Sequence, residues 1–559
     1  MVWRAATALL AAWCLSAFAR SAGQPPYDLV ITGGSVLNGE GAPPVRADVG
    51  IRAGRIAAIG DLAAAAATRR IDASGLTVSP GFIDMHNHSD YTILVEPKSE
   101  SMIRQGVTTM VLGESRSAGP IKAGSDEARA RADGVTVDWT TLGGYFAKLE
   151  QQHMSTNIAS YVGEEQVWTH VKGYGESPAT PAELDAMKAL IAQAMEDGAM
   201  GLSTALLQPP SSFAKTADLI ELAKTAARYG GIYSSHIRDE GEGVFRAIDE
   251  AIQVGKGAGI PVDIIHMKIA HQKLWGRASE IIAMVQKARD QGHDIRANVY
   301  PYTAGQNNLS SIVPPWAHDG GREKMLERLG DPAARNRMRD EVMNGLPNWY
   351  NHYLATGDGW GGMILVSLKH ERNTPFQGRR MSELIAARGG HPADVLFDVL
   401  IEENGSVPTV FFHHSEADMQ LILQQPWTSI GSDGSAVNPD GPTGRTHPHP
   451  RYYGTFPRVL GRYVRELKTI TLPDAVKKMT SMNADKIGIK DRGRLKDGLA
   501  ADVTIFDPAR VIDRATFEQP HQFPVGIKYV IVNGVVTIDN EQHTGALAGR
   551  VIYGPGRKQ

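Results

Sequence analysis

Pro80-Gly81-Phe82-Ile83-Asp84-Met85-His86-Asn87-His88-Ser89-Asp90 reads as a short apolar strand that runs directly into two histidines one residue apart. Side chains at i and i+2 of a strand share a face, so His86 and His88 can point at one place and offer two ligands to one metal. Alone, the pair reads equally well as ordinary polar residues beside a loop. The decision rests on whether further ligands arrive at the ends of other strands.

Downstream, a strand, loop, helix pattern repeats. Its clearest helix start is Thr180-Pro181-Ala182-Glu183, a hydroxyl N-cap with proline at the first helical position and glutamate three residues after the cap. Leu184, Met187, Ile191 and Met195 follow on one face, Gly198 closes the helix, and a strand resumes at Met200. Similar helices lead into strands ending at His236, His266 and Tyr300-Pro301-Tyr302. Strands near 82, 107, 157, 200, 232, 262, 295 and 428 predict an α/β fold, a (β/α)8 TIM-like barrel with functional groups at the strand C-terminal ends. The count makes residues 303–425 a long insertion with its own apolar runs at 363–366 and 409–412, and the aromatics Trp316, Trp349, Tyr350 and Trp360 suit a lid. A surface excursion or miscounted barrel strands would read the same way.

Short β-type runs with turn residues fill 27–80 and recur from Ala501, with Asn533-Gly534 as a hairpin signal. The expectation is a small β-sandwich domain built from both termini, 23–80 and 485–559, around a barrel at 81–484. Two unrelated edge sheets are the alternative, but neither is large enough to bury a core alone.

The 559 residues carry 58 Lys plus Arg against 61 Asp plus Glu, and no basic run marks a nucleic-acid face. Residues 1–22 have the n-region, apolar h-region and small-residue layout of a signal peptide, so the expectation is an exported protein, periplasmic or secreted, without stable membrane insertion after cleavage. An uncleaved anchor is the alternative, although the run is short for a span. The single cysteine, Cys14, lies in that leader, leaving the mature chain without disulfides, thiolate ligands or a cysteine nucleophile.

The residues just past the apolar strands are His86 and His88, Glu114, His236, His266 and Asp433. Singly, Glu114 reads as a surface acid, His266 as a satisfied strand-end residue and Asp433 as a turn residue. Together they make a six-donor nitrogen and oxygen set that suits zinc, manganese or a similar ion. Six donors are enough for two ions about 3.5–4 Å apart that share a carboxylate. His413, His414, His447 and His449 read as lining or surface residues and stay outside the set.

The stretches Pro80–His88, Tyr233–Glu240, Ile265–Lys268, Tyr300–Thr303, Ser432–Gly434 and Gly493–Asp502 resemble the amidohydrolase superfamily, and within it the N-acyl-D-amino-acid deacylases, from about residue 27 to 553. The HxH pair is specific only to the superfamily; Ser235–Glu240 and Tyr300–Tyr302 point to this branch. Such deacylases carry a metal-bridging cysteine after the second strand, where this chain has Gly113-Glu114-Ser115-Arg116. An ungapped match sets Ser115 at the cysteine with Glu114 beside it; a carboxylate can span two ions, so the bridge is assigned to Glu114. The superfamily's other bridge, a carbamylated lysine, has no candidate in 200–204.

The resemblance implies one or two zinc ions, with another divalent metal as the alternative. It also implies hydrolysis of a small N-acyl amino acid by metal-activated water, with Asp433 as the catalytic proton carrier. Arg238, Lys268, Tyr300 and Tyr302 are the expected clamps for the substrate carboxylate. A dipeptidase, a hydrolase of cyclic or xenobiotic amides, and an exported binding protein on a barrel scaffold are the competing readings.

Overall fold

Eight parallel strands form where the apolar runs lie: β1 (Phe82–Asp84), β2 (Val107–Leu112), β3 (Asn157–Ser160), β4 (Gly201–Ala205), β5 (Ile232–His236), β6 (Val262–Ile264), β7 (Ile295–Val299) and β8 (Thr428–Ile430). The computed structural model describes residues 26–122 and 134–558. The expected leader at 1–22, with Cys14, lies outside the described residues. Strands β1, β2 and β3 pair in one parallel ladder. Val162–Gly163 pairs with β4, and β4 through β8 continue in sequence. Only Tyr161 separates β3 from Val162–Gly163, so the third strand serves both ladders. The ring is completed by a bridge between Asn87 and Gly434, the Asp433 amide donating to the His86 carbonyl (2.8 Å) and the His88 amide to that of Gly434 (2.7 Å).

The local grammar behaves as the sequence predicts. Thr180 Oγ1 accepts from the Glu183 amide (3.3 Å), and the Glu183 carboxylate accepts from the Thr180 amide (2.7 Å). The helix runs Pro181–Asp197 and stops at Gly198, whose φ of 114° is open to glycine and strained for other residues.

Strands from both termini join in a nine-stranded sheet. Thr77–Pro80 pairs in parallel with Tyr27–Val36 and antiparallel with Val503–Phe506, which unites the two ends of the chain. In hydrogen-bond terms the β domain is one continuous sheet; Leu29, Val49, Ile56, Val503 and Ile531 meet in one core. The hairpin at Asn533-Gly534 has φ values of 50° and 84°, as a two-residue turn of that kind requires. The stretch from 485 onward does not belong to this sheet alone. Ile487 and Ile489 pack with Ile83, Met85 and Val111 inside the barrel, and Val551 bridges to Ile158 of β3.

The insertion is a folded unit with its own core, which includes Leu309, Met338, Leu365, Phe397 and Phe411. Gly305–Asn308, Met363–Leu365 and Pro408–Phe411 form an antiparallel sheet with the last strand in the middle. The excursion ends earlier than expected: helix Glu416–Leu423 packs on Ala278–Asp290, β7 and β8, and so belongs to the barrel's helical layer. No helix among the described residues is long and apolar enough to cross a membrane.

A buried ion pair sits against the middle of β6 and β7. Lys486 Nζ contacts Asp263 and donates to the Ala297 carbonyl (2.6 Å), with both charged side chains 1 % exposed. Asp263 also accepts from Asn298 Nδ2 (2.7 Å), whose Oδ1 takes the His266 amide (2.9 Å). Removing one member strands a buried charge, so Lys486→Ala is expected to destabilise the fold by about 3–5 kcal/mol, while Lys486→Met with Asp263→Leu recovers most of that loss. Denaturant unfolding of the variants checks both.

Candidate metal centre

The chain delivers each candidate ligand by a turn at a strand end. Gly113, at φ 89°, bends the backbone out of β2, where a Cβ would meet Tyr161 O and Ser160 Oγ at 2.5 Å. Glu114 then faces inward. Ser115, His266 and Asp433 hold φ of 55°, 35° and 52°, a left-handed backbone that costs non-glycine residues about 1–3 kcal/mol each. His236 is the last residue of β5.

The six side chains converge at one mouth of the barrel. His86 Nε2 lies against Glu114 Oε2. His88 Nε2 is 3.1 Å from the same oxygen and 3.0 Å from Asp433 Oδ1. The other Glu114 oxygen is 3.1 Å from His236 Nδ1, and His266 Nε2 is 3.9 Å from Asp433 Oδ2. Their ligand atoms fall into two groups, His86, His88, Glu114 and Asp433, and Glu114, His236 and His266, each within 4.8 Å. Glu114 is common to both. Ser115 turns away, its Oγ donating to Glu165 (3.1 Å), so the carboxylate, not the hydroxyl, stands between the histidine pairs.

Two residues that the sequence reasoning left out complete the electrostatics. Glu240 lies 3.1 Å from His266 Nδ1 and 3.6 Å from His236 Nε2, and contacts Lys268 Nζ. A carboxylate there faces the outer nitrogens of both imidazoles, closer to that of His266, while His236 Nε2 makes no hydrogen bond among the described residues. Burial would raise its pKa, but Lys268, His236 and His266 outweigh that and hold it well below the usual range. Arg451, buried, sets Nη1 2.9 Å from Asp433 Oδ2 and lies 4.9 Å over the Tyr300 ring. Against the penalty of burial, Arg451 and His86 pull the Asp433 carboxyl down, so it stays ionised. Burial, then Lys268 and His236, push His266 to about 3. Glu240 had a signal, its place in the Ser235–Glu240 stretch that runs on from β5; Arg451 had none, because only the fold brings it to Asp433.

Of the four expected clamps, two face the site. Lys268 and Tyr300 line the same cavity as His236, His266 and Asp433. Arg238 does not. Its Nε and Nη2 donate to Glu250 (2.8 and 2.9 Å), and Nη1 and Nη2 to the carbonyls of Ser212 and Ala214 (2.7 and 2.8 Å). Four of the five guanidinium N–H groups are thus committed in the helical shell, and Arg238 does not line the cavity. Tyr302 is likewise diverted: its OH meets Asp513 and Pro450 O (3.4 and 3.5 Å), and Arg458 covers its ring at 4.8 Å. Strand alternation would set Tyr300 and Tyr302 on one face, but both lie beyond the end of β7 at Val299, with Pro301 between them, so alternation does not bind them to a common direction.

Four imidazoles and two carboxylates, free of sulfur and converging from five strands, fit zinc. The chain belongs to the amidohydrolase family, whose pattern it matches over residues 69–538. It is 35% identical over 533 residues to a D-aminoacylase of Alcaligenes xylosoxydans xylosoxydans, covering 94% of this chain and 98% of that one. The crystal structure of an N-acyl-D-glutamate deacylase from Bordetella bronchiseptica, complexed with zinc and a phosphonate mimic of the tetrahedral intermediate, superposes with a TM-score of 0.80 at 32% identity, covering 95% of this chain and all of that one (100%). A D-aminoacylase structure described for its binuclear metal center gives 0.79 at 34% identity, covering 94% and 100%.

The third strand contributes no ligand. Glu164, which follows Val162–Gly163, is instead buried beside Ser211, whose Oγ donates to it (2.6 Å), and burial raises its pKa to about 8. The folded state therefore holds a proton that the unfolded chain releases near the ordinary glutamate value of 4.5. Stability on this account is full below the unfolded pKa and falls as pH rises toward 8. Glu164→Gln is expected to flatten the decline of the unfolding midpoint between pH 5 and 8, as thermal melts across that range would show.

Proposed function

We propose that the protein is a metal-dependent hydrolase that cleaves the amide bond of N-acyl-D-amino acids to a carboxylate and a free amino acid. The observation that carries this reading is Glu114, one carboxylate shared by two histidine groups at a barrel mouth, with Asp433 in the first group and 3.9 Å from His266 of the second. The deacylase relatives support it. In this reading His86 and His88 would hold one ion and His236 and His266 the other, with Glu114 available to both. Zinc, when bound, supplies Lewis acidity that acidifies water and polarises a carbonyl.

The chain's own residues do the rest. Asp433 takes the proton of the attacking water and returns it to the leaving amine. Arg451 orients that carboxylate through the contact at 2.9 Å. Lys268 and Tyr300 receive the free carboxylate of the substrate, the ammonium 2.7 Å from His266 Nδ1 and 5.8 Å from the Tyr300 ring. We also propose export to a periplasmic or secreted site of action, a reading supported by the leader pattern of residues 1–22.

A panel of N-acetyl-D- and N-acetyl-L-amino acids, dipeptides and cyclic amides tests the reading. Release of amino acid from the D-acyl compounds is expected; cleavage of dipeptides or cyclic amides alone would replace it. Asp433→Ala should lower kcat by about 10²–10⁴-fold, the range of a lost general acid or base; an unimpaired variant sinks the assignment. Elemental analysis separates the neighbours at the bridge, with Glu114→Ala expected to lose bound metal and Ser115→Ala to retain it.

A further inference from the structure

We infer that the insertion builds a side-chain subsite for the substrate, and that it takes an uncharged hydrogen-bonding group of the carboxamide kind rather than a second carboxylate. This deepens the deacylase reading and rests on it. The cavity lined by His236, His266 and Asp433 extends onto Gln306, Asn307, His352 and His413 of the insertion. This wall therefore adjoins the metal centre directly, where the side chain of a substrate held there by its amide can reach it.

Two imidazoles on that wall, His352 and His413, and the neighbouring His414, whose Nδ1 meets the Tyr302 carbonyl (3.3 Å), each leave one ring nitrogen unpaired. His352 Nδ1, His413 Nδ1 and His414 Nε2 are buried without a hydrogen bond among the described residues. Their rings are packed together, His352 and His413 with centroids 5.7 Å apart and His413 and His414 4.6 Å apart. Buried polar atoms left unpaired are costly, and a ligand that carries both donor and acceptor relieves that cost where an alkyl group does not. Space is kept for it by Gly305, where a Cβ would stand 3.2 Å from His413 Cε1, 3.3 Å from Tyr300 OH and 3.5 Å from His414 Nε2.

Charge excludes the acidic alternative. Lys268 is the one lysine or arginine among the described residues lining this cavity, and its ammonium already contacts Glu240. Arg451, nearby, is held by Asp433. Burial pushes His352 to about 3 and His413 and His414 well below their ordinary value, so the imidazoles are neutral at pH 7. A substrate with two carboxylates would leave one unpaired in a buried setting, next to Glu240.

The test uses the zinc-loaded full chain and two near-isosteric substrates, N-acetyl-D-glutamine and N-acetyl-D-glutamate, with N-acetyl-D-leucine as the apolar control. At least a tenfold higher kcat/KM for glutamine than for either of the others is expected. Equal or better use of glutamate overturns the exclusion of charge, and equal or better use of leucine overturns the hydrogen-bonding role. Release from none of the three overturns the deacylase reading together with the inference, whereas an inverted preference with release intact overturns the inference alone. His352→Phe should reduce the glutamine-to-leucine ratio at least tenfold. Asn307→Arg, at a partly exposed position and so tolerant of change, should raise the glutamate-to-glutamine ratio tenfold; no change in it counts against the subsite. Calorimetric titration with free D-glutamine and D-glutamate gives a readout independent of turnover, and tighter binding of glutamate would overturn the proposal.

Discussion

A single buried carboxylate, Asp84, holds the first and last strands of the barrel together at the mouth where the candidate ligands meet. It accepts from the Ser432 amide (2.7 Å), the Ser432 hydroxyl, Asn87 Nδ2 (2.9 Å) and the His86 amide (3.3 Å). Those donors come from both sides of the seam between β1 and β8. His86 and Asp433 are therefore set against one another by the same group that closes the ring. Burial raises the Asp84 pKa, and the four donors work against that. In a medium of low dielectric a carboxylate so supplied with hydrogen bonds is tolerated, whereas a bare one is not.

The same logic organises the centre itself. Glu114, Asp433 and Glu240 are all buried, which would be prohibitive for three like charges alone. Arg451 answers Asp433, Lys268 answers Glu240, and the histidines surround Glu114 on both of its oxygens. The residues placed outside this balance show what it demands: Arg238 is held by Glu250 and two carbonyls in the helical shell. Below the site, Lys486, Asp263 and Asn298 continue the chain of polar contacts to the His266 backbone. Zinc would enter an environment already arranged for positive charge.

Much of this was readable along the chain. Strands β4 to β7 announced themselves as short, mostly apolar runs after helices closed by Gly198, Gly230, Gly259 and Gly292, because burial on both faces removes polar alternation. His86, His88, Glu114, His236, His266 and Asp433 each follow such a run directly, so strand geometry alone gave them a common destination. The Thr180 capping box and the Asn533-Gly534 turn were legible for a different reason: their chemistry is local, and no distant residue is needed to specify it. The boundary of the insertion was less so. Helix Glu416–Leu423 looks like the helices before it, and only its packing against β7 and β8 assigns it to the barrel.

By itself, then, the sequence determined the barrel, the β domain drawn from both ends, the identity of the six converging donors and the absence of sulfur among them. These depend on periodicity, turn chemistry and strand-end position, which are properties of neighbouring residues. Tertiary structure decided which charges face the centre. Arg238 and Lys268 stand at the same offset from a histidine, yet one is captured by a helix and the other reaches the cavity. Arg451 and the insertion's histidines arrive from far along the chain. A side chain's final direction follows from the partner that satisfies it at least cost, and that partner is supplied by folding rather than by sequence neighbours.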